Sequence, residues 1–157
     1  MHAEARKMAS VRVTNTNKVS KANLDPAVIL QIQKVTNVLI VDDNPDITEL
    51  YKAALEGEGF KIDTYNDPRK ALTDFKLGYY DIALIDVRMP DMDGFDLYNE
   101  MSKSDSNMKV CFITGFEVNY KALQEIFPDM TQENYISKPT AVADLKRHVL
   151  RLLNESH

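Results

Sequence analysis

Short apolar runs alternate with segments of helical periodicity along most of this chain. Residues 38–41 form a continuous apolar run, as is typical of a strand that is buried on both faces of a parallel sheet. Apolar residues then recur from Ile47 to Leu55 at intervals of three and four, the spacing of an amphipathic helix. The same succession of strand and helix occurs five times up to about residue 153. The later predicted helices include one that starts at the Asp67-Pro68 pair and ends at Gly78, one near residues 118–127 and one at about residues 141–153. Such an alternation predicts an α/β fold in which helices cover both faces of a parallel sheet.

The first 34 residues differ in character from the rest of the chain. They carry six basic and two acidic side chains, a net charge of +4, whereas the other residues carry 13 basic and 22 acidic side chains, a net charge of −9. Residues 1–24 are polar and aperiodic, and Asp25 followed by Pro26 is typical of the start of a helix. We therefore predict an N-terminal extension at 1–34 with a short helix near 25–34, followed by one domain at 35–157.

Composition and charge exclude several classes of function. The acidic charge of the main domain disfavours binding to nucleic acid, whose phosphates attract basic surfaces. No apolar stretch approaches the roughly 20 residues of a membrane helix, and the first ten residues lack the apolar core of a signal peptide. Cys111 is the single cysteine, which excludes an internal disulfide and fits a reducing compartment. We predict a cytoplasmic protein that binds neither nucleic acid nor membranes.

Polar residues follow the predicted strands at the points where the apolar runs end. Five such residues close the first, third, fourth and fifth strands: Asp42, Asp43, Asp86, Thr114 and Lys138. Because the carboxyl ends of parallel strands lie along the same edge of a sheet, these side chains are expected to share one crevice. Three carboxylates in one crevice repel each other, and a few hard oxygen ligands suit Mg²⁺. The sequence therefore predicts a magnesium site at this edge of the sheet.

The same residues indicate phosphoryl chemistry. A carboxylate can act as a nucleophile toward phosphorus and form an aspartyl phosphate, and Asp86, alone at the end of the central strand, is the candidate nucleophile. Lys138 would neutralise charge on the phosphoryl group, and Thr114 would donate a hydrogen bond to it. Taken one by one, the residues also permit simpler interpretations. Asp42 and Asp43 could cap the helix that follows them, and Lys138 could be a surface lysine.

Four sequence runs, in this order, resemble the receiver domain of two-component response regulators: VLIVDDNPDITELY, ALIDVRMPDMDGFDLY, CFITG and YISKP. The resemblance covers the chain from about residue 37 to residue 153. It implies a flavodoxin-like, doubly wound (βα)5 fold, a three-layer sandwich whose parallel strands lie in the order 2-1-3-4-5. It also implies a cis peptide bond between Lys138 and Pro139, an isomer that is accessible before proline.

The resemblance implies a role for each residue of the predicted crevice. Asp43 resembles the direct Mg²⁺ ligand and Asp42 the acid that acts on the metal through water. Asp86 resembles the phosphoacceptor, which also binds the metal, and the backbone carbonyl of Arg88 resembles the remaining protein ligand. The roles of the switch hydroxyl, the family's lysine and the switch aromatic fall on Thr114, Lys138 and Tyr135.

The resemblance implies a phosphoacceptor rather than an enzyme that turns over a separate substrate. A histidine kinase or a phosphotransfer protein would supply the phosphoryl group to Asp86, and the domain would assist its own phosphorylation and dephosphorylation. The face formed by helix 4, strand 5 and helix 5 would then bind a downstream protein, and a homodimer is left open. Because the sequence ends shortly after the fifth predicted helix, we expect a stand-alone regulator.

Two other functions remain open at this point. A pseudo-receiver that is not phosphorylated would serve as a protein-interaction module, although such domains usually lose some of the residues described above. A Mg²⁺-dependent phosphatase of the haloacid dehalogenase type also uses an aspartate nucleophile, but it requires a second acid two residues later, where this chain has Arg88. We further hypothesise that Arg88 and Phe116 border the path of an attacking water and modulate dephosphorylation.

Overall fold

The computed structural model describes residues 25–27 and 35–155. Within the first range, the backbone N–H of Ala27 donates to the Asp25 carboxylate at 2.9 Å, and Pro26 and Ala27 are helical, as expected of a capped helix start. The rest of the predicted extension lies outside the described residues. The boundary between extension and domain therefore stays a prediction.

Strands and helices alternate from residue 37 onward. The strands are β1 (Asn37–Val41), β2 (Lys61–Tyr65), β3 (Ile82–Asp86), β4 (Lys109–Thr114) and β5 (Tyr135–Ser137). The helices are α1 (Pro45–Glu56), α2 (Pro68–Thr73), α3 (Gly94–Ser104), α4 (Tyr120–Ile126) and α5 (Val142–Asn154), with a short 3-10 turn at Gln132–Asn134 before β5. Among the described residues, no helix is both long enough and apolar enough to cross a membrane.

The five strands form one parallel sheet in the order β2-β1-β3-β4-β5, which confirms the predicted fold class and strand order. Val41 at the end of β1 is level with Ile85 of β3, and Thr114 at the end of β4 is level with Ser137 of β5. The carboxyl ends of these strands are therefore aligned along one edge of the sheet. This alignment brings together side chains that are far apart in sequence.

Each face of the sheet has its own buried core. Leu39 and Val41 point to the face covered by α2, α3 and α4, whereas Val38 and Ile40 point to the face covered by α1 and α5. These strand residues are at most 1% exposed, and burying one leucine side chain contributes roughly 1.5–3 kcal/mol relative to leaving it in water. The apolar runs seen in the sequence are thus strands covered on both sides.

Local capping decides where the helices begin and end. Asp67 caps α2 as predicted, accepting from the backbone N–H of Arg69, with Pro68 at the first helical position. The sequence pattern predicted that this helix continues to Gly78, but it ends at Thr73 because Asp74 leaves the helical conformation. Similarly, α4 begins at Tyr120, rather than near residue 118, because the Asn119 side chain caps the N–H of Ala122.

One glycine allows α3 to approach β3 closely. A Cβ atom on Gly94 would lie 2.3 Å from the backbone oxygen of Asp86 and 2.9 Å from the side chain of Ile85. Any larger residue at this position would push the start of α3 away from the end of β3. The backbone N–H of Gly94 also donates to the carbonyl of Val87 at 2.8 Å, which holds the loop after Asp86 in place.

Candidate functional site

The predicted polar residues lie together at the carboxyl edge of the sheet. The ammonium nitrogen of Lys138, which follows β5, is 2.7 Å from Oδ2 of Asp42 and 3.1 Å from Oδ1 of Asp86. The two aspartates are only 3% and 7% exposed, and Lys138 is half-buried. The tertiary fold therefore places a cation between two buried carboxylates that are distant in sequence.

Asp42, Asp43 and Asp86 form a compact cluster of acidic oxygens. One carboxylate oxygen from each lies within 4.8 Å of those of the other two. Asp42 and Asp86 are buried, whereas Asp43 is exposed at the mouth of the crevice. Hard carboxylate oxygens at this spacing, open to solvent on one side, fit Mg²⁺, which accepts one or two carboxylates and retains several waters. The donor set is therefore suitable for a magnesium ion.

The electrostatics of the cluster depend on burial and on the neighbouring charges. Burial, followed by the negative charge of Asp42, raises the pKa of Asp86 to about 6, although Lys138 acts in the opposite direction. Burial alone would lower the pKa of Lys138, but hydrogen bonding and attraction to Asp42 and Asp86 raise it overall. Lys138 therefore remains protonated at neutral pH and partly offsets the repulsion between the two acids.

Several hydrogen bonds fix the loop between β1 and α1. Oδ1 of Asp42 accepts from the backbone N–H of Asn44 at 2.9 Å, and the backbone N–H of Asp42 donates to the carbonyl of Tyr65 at 3.1 Å. The N-cap of α1 is Asn44, whose side chain accepts from the N–H of Asp46 at 3.0 Å. The simpler interpretation, in which the aspartate pair caps this helix, is therefore wrong. The cap of α1 does not use the Asp43 carboxylate, and Asp42 directs its Oδ2 to Lys138 in the crevice.

Sequence reasoning missed two residues of this loop's support. Nδ2 of Asn66, the residue after β2, donates to the backbone oxygen of Asp42 at 2.8 Å and to Oγ1 of Thr48 at 3.0 Å. Thr48 lies on the buried face of α1 and is 3% exposed. A usable signal existed, because Asn66 follows β2 just as Asp42 follows β1, and these strands are neighbours. The predicted crevice includes the ends of the first, third, fourth and fifth strands but not the end of the second.

The Thr114 hydroxyl is buried and engaged with its own loop. It donates to the backbone oxygen of Phe116 at 3.2 Å and accepts from the backbone N–H of Phe116 at 3.3 Å. The Phe116 ring is exposed at the surface, and the guanidinium carbon of Arg88 lies 4.5 Å from the ring centroid. Arg88 belongs to the loop after β3, so this cation–π contact connects the loops that follow β3 and β4.

Tyr135 occupies a buried position at the start of β5. Its ring stacks on Phe112 at 5.6 Å between centroids and meets the edge of Tyr120 at 5.1 Å. Among the described residues, its hydroxyl is the buried side-chain oxygen that has no hydrogen-bond partner. Burial, together with Tyr120, raises the pKa of Tyr135 to about 12. Tyr135 thus connects α4 to β5 through an aromatic contact.

The peptide bond between Lys138 and Pro139 is cis, as the resemblance implied. The sequence model of the response regulator receiver domain family matches residues 38–150 of this chain. The chain belongs to the response regulator receiver domain family. Receiver domains of this family interact with histidine kinases and with downstream targets, and they typically carry a phosphoacceptor aspartate beside a Mg²⁺ site.

Several known receiver proteins are similar to this chain. It is 30% identical over 122 residues to the probable transcriptional regulatory protein TcrX of Mycobacterium tuberculosis, and 28% identical over 121 residues to the transcriptional regulatory protein TrcR of the same organism. Each alignment covers 76% of this chain but only 49% and 46% of the relative. The chain thus spans about half the length of the curated relatives it matches.

Among solved structures, a CheY-like receiver domain protein of Methanospirillum hungatei superposes with a TM-score of 0.68 at 26% identity. The superposition covers 77% of this chain and 95% of that protein. The five-stranded sheet and its order are therefore those of a receiver domain, and the superposition extends over nearly the whole of that solved chain.

Proposed function

We propose that this receiver domain accepts a phosphoryl group on Asp86 in a Mg²⁺-dependent reaction, with a histidine kinase or a phosphotransfer protein as the donor. The observation that carries the proposal is the position of Asp86. It is buried at the end of the central strand, 3.1 Å from the Lys138 ammonium and within 4.8 Å of the oxygens of Asp42 and Asp43. Three acids and one cation in one crevice, with Asp43 exposed at its mouth, suit a phosphoryl group and its metal.

The chain's own residues would act as follows. An oxygen of Asp86 forms a bond to phosphorus while the P–N bond of the donor's phosphohistidine breaks. Lys138 lies within reach of both Asp42 and Asp86, and it would contact a phosphoryl oxygen as charge develops. Mg²⁺, when bound, neutralises charge on the phosphoryl oxygens. Asp43, Asp86 and the backbone carbonyl of Arg88 would hold it directly, and Asp42 would hold it through water.

Phosphorylation would then act as a switch. To donate to a phosphoryl oxygen, the Thr114 hydroxyl must give up its hydrogen bonds with the backbone of Phe116. That exchange would alter the loop before α4. Through the contact with Tyr120, it would also change the orientation of the Tyr135 ring. The result is a shift between two populations of the face formed by α4, β5 and α5, where we propose that a downstream protein binds.

The organisation of the protein around this domain is also part of the proposal. We propose that residues 35–157 act as one receiver that signals through a protein partner, with residues 1–34 as an appended extension. The match to 95% of a CheY-like protein supports action as a single domain, whereas the longer relatives are named as transcriptional regulators. The size of the protein in extracts of its native source, measured by immunoblot, separates these alternatives.

Two alternative functions are less well supported. A pseudo-receiver would not need Asp42, Asp86 and Lys138 in contact, and this arrangement favours phosphoryl acceptance. A phosphatase of the haloacid dehalogenase type needs an acid where Arg88 lies, and here the Arg88 guanidinium contacts Phe116. Turnover of p-nitrophenyl phosphate would reveal such an activity.

The proposal is tested by incubating the protein with acetyl phosphate and Mg²⁺ and measuring its intact mass. We expect a single hydroxylamine-labile phosphoryl adduct that is absent after chelation of the metal and absent in Asp86→Asn. Asp81→Asn is a matched control, because Asp81 lies at the opposite end of β3 and accepts from the backbone N–H of Asn37. An unmodified wild-type protein that still binds Mg²⁺ would favour the pseudo-receiver.

A further inference from the structure

Asn66 connects the end of β2 to the loop that carries the acidic pair. Its Nδ2 group lies 2.8 Å from the backbone oxygen of Asp42 and 3.0 Å from Oγ1 of Thr48. The side chain therefore reaches one acceptor on the β1–α1 loop and one on the first turns of α1. Asn66 has no place in the motifs by which the family is recognised in this sequence.

The orientation of the Asn66 amide is fixed by the chemistry of its partners. The backbone oxygen of Asp42 can only accept a hydrogen bond, so the nitrogen of the amide must face it. The Thr48 hydroxyl donates its own hydrogen to the backbone oxygen of Pro45 at 3.0 Å, which leaves its oxygen free to accept from Asn66. The result is a directed chain of hydrogen bonds from Asn66 through Thr48 to Pro45.

This arrangement is not explained by the needs of α2. That helix is capped by Asp67, whose carboxylate accepts from the N–H of Arg69 at 2.9 Å. Asn66 precedes the cap and directs its amide across to β1 and α1 instead. A simple turn-forming role would not require contact with a backbone oxygen 24 residues earlier in the chain.

The peptide group that Asn66 contacts links Asp42 to Asp43. The other atoms of Asp42 are already engaged: its N–H with Tyr65, Oδ1 with the N–H of Asn44, and Oδ2 with Lys138. A hydrogen bond to its carbonyl fixes the plane of the Asp42–Asp43 peptide and hence the direction in which the Asp43 side chain leaves the backbone. Asp43 is the exposed member of the acidic cluster, so backbone orientation matters most for this residue.

We propose that Asn66 is a positioning residue for Mg²⁺ binding, and that it acts with Thr48 to hold the carboxylate of Asp43 close to that of Asp86. This inference rests on the proposed function, because it assumes that the cluster binds Mg²⁺. Residues that orient metal ligands through hydrogen bonds influence metal affinity although they do not touch the ion. Loss of the amide would weaken Mg²⁺ binding without removing any ligand.

The test is calorimetric titration of Mg²⁺ into the purified full chain and its variants. We expect Asn66→Ala to raise the dissociation constant roughly threefold to tenfold, as expected for the loss of a hydrogen bond that orients a ligand. Thr48→Val should raise the dissociation constant less, and Thr48→Ser should leave it near the wild-type value because serine keeps the hydroxyl. The effects of Asn66→Ala and Thr48→Val should be less than additive in the double variant, because the two side chains share one interaction. Asn99→Ala, an asparagine on the exposed surface of α3, is the matched control.

A second measurement separates positioning from general damage. The yield of the acetyl phosphate adduct of Asn66→Ala should return to the wild-type level at saturating Mg²⁺. A deficit that persists at saturation, together with a lowered melting temperature, would overturn the proposal in favour of a purely structural role. An unchanged Mg²⁺ affinity in Asn66→Ala, while Asp43→Asn weakens it, would overturn the inference alone. Absence of Mg²⁺ binding by the wild-type chain would instead reject the proposed function.

Discussion

The guanidinium of Arg88 lies 4.5 Å from the ring centroid of Phe116, so the loops after β3 and β4 meet at the edge of the sheet that carries Asp86. Both side chains are exposed, and neither belongs to the acidic cluster. The backbone of Phe116 also exchanges hydrogen bonds with the Thr114 hydroxyl. The contact therefore joins the region of the phosphoacceptor to the region of the proposed switch.

This contact should slow loss of the phosphoryl group. Both side chains are expected to border the path of the attacking water, and a cation–π pair at an exposed site contributes about 0.5–1 kcal/mol to holding them there. Phe116→Ala and Arg88→Ala should therefore each shorten the lifetime of the aspartyl phosphate roughly twofold to fivefold. The lifetime is measured by intact mass after removal of acetyl phosphate. Leu77→Ala is the control, because Leu77 is equally apolar, 67% exposed and located in the loop before β3. An unchanged lifetime in both variants would contradict the hypothesis.

Lys138→Met should separate metal binding from phosphoryl transfer. Removing one charged donor to the developing phosphoryl charge should slow adduct formation on the order of 100-fold, while Mg²⁺ still binds through the carboxylates. Calorimetry and the time course of intact mass measure the two effects independently. Lys146→Met is a suitable control, because Lys146 pairs with Glu58 on the surface. Adduct formation at the wild-type rate in Lys138→Met would exclude a role for this ammonium.

Gly94→Ala should destabilise the domain. The added methyl would lie 2.3 Å from the backbone oxygen of Asp86, and relieving such an overlap typically costs about 1–3 kcal/mol. Urea unfolding should show a lower midpoint with an unchanged slope. Gly115→Ala provides the comparison, since a Cβ atom there meets nothing within 4 Å. Equal stability of the two variants would mean that α3 shifts without cost.

Removing the hydroxyl of Tyr135 and removing that of Tyr80 should have different effects on the stability of the domain. The hydroxyl of Tyr135 is buried without a partner among the described residues, so Tyr135→Phe should leave the unphosphorylated domain as stable as the wild type or more stable, by up to about 1–2 kcal/mol. Tyr80→Phe should be destabilising, because its hydroxyl donates to the Asp63 carboxylate at 2.7 Å. Thermal unfolding of the two variants compares them directly. A clear loss of stability in Tyr135→Phe would contradict the expectation that this hydroxyl contributes nothing to the folded state.

Asp63 should contribute to stability only above the acidic range. Burial acts to raise the pKa of Asp63, but hydrogen bonds from Lys76 and Tyr80 outweigh it and lower the pKa below the usual 3.8. Since the folded-state value is the lower one, the stabilisation is present above the unfolded value and is lost as the pH falls through the folded value. Asp63→Asn should therefore be less stable than the wild type at pH 7, and the difference should shrink below about pH 4.

The matched control for this pH dependence is Glu117→Gln, which neutralises an exposed acid in the loop after β4. It measures the effect of removing one negative charge at a site away from Lys76 and Tyr80. The comparison requires unfolding curves for each protein at several pH values. A constant difference between Asp63→Asn and the wild type over the whole range would show that the hydrogen bonds of Asp63 carry no charge-dependent stability.

Much of the fold was determined by local sequence. The continuous apolar run before Asp42 predicted a strand covered on both faces, and periodic apolar residues predicted α1 and α5 within a residue or two. These patterns are reliable because burial of a strand or of one helix face depends on residues that are adjacent in sequence. The ends of α2 and α4 were predicted less well, because caps at Asp74 and Asn119 decided them.

The members of the acidic cluster and Lys138 were also predicted from sequence, because polar residues that close apolar strands must lie at one edge of a parallel sheet. Only the tertiary structure decided how they are held. The Lys138 ammonium pairs with an aspartate 96 residues away, and Asn66 reaches the Asp42 carbonyl across 24 residues. Such contacts are set by strand order and loop geometry, neither of which is encoded in a local pattern of residue types.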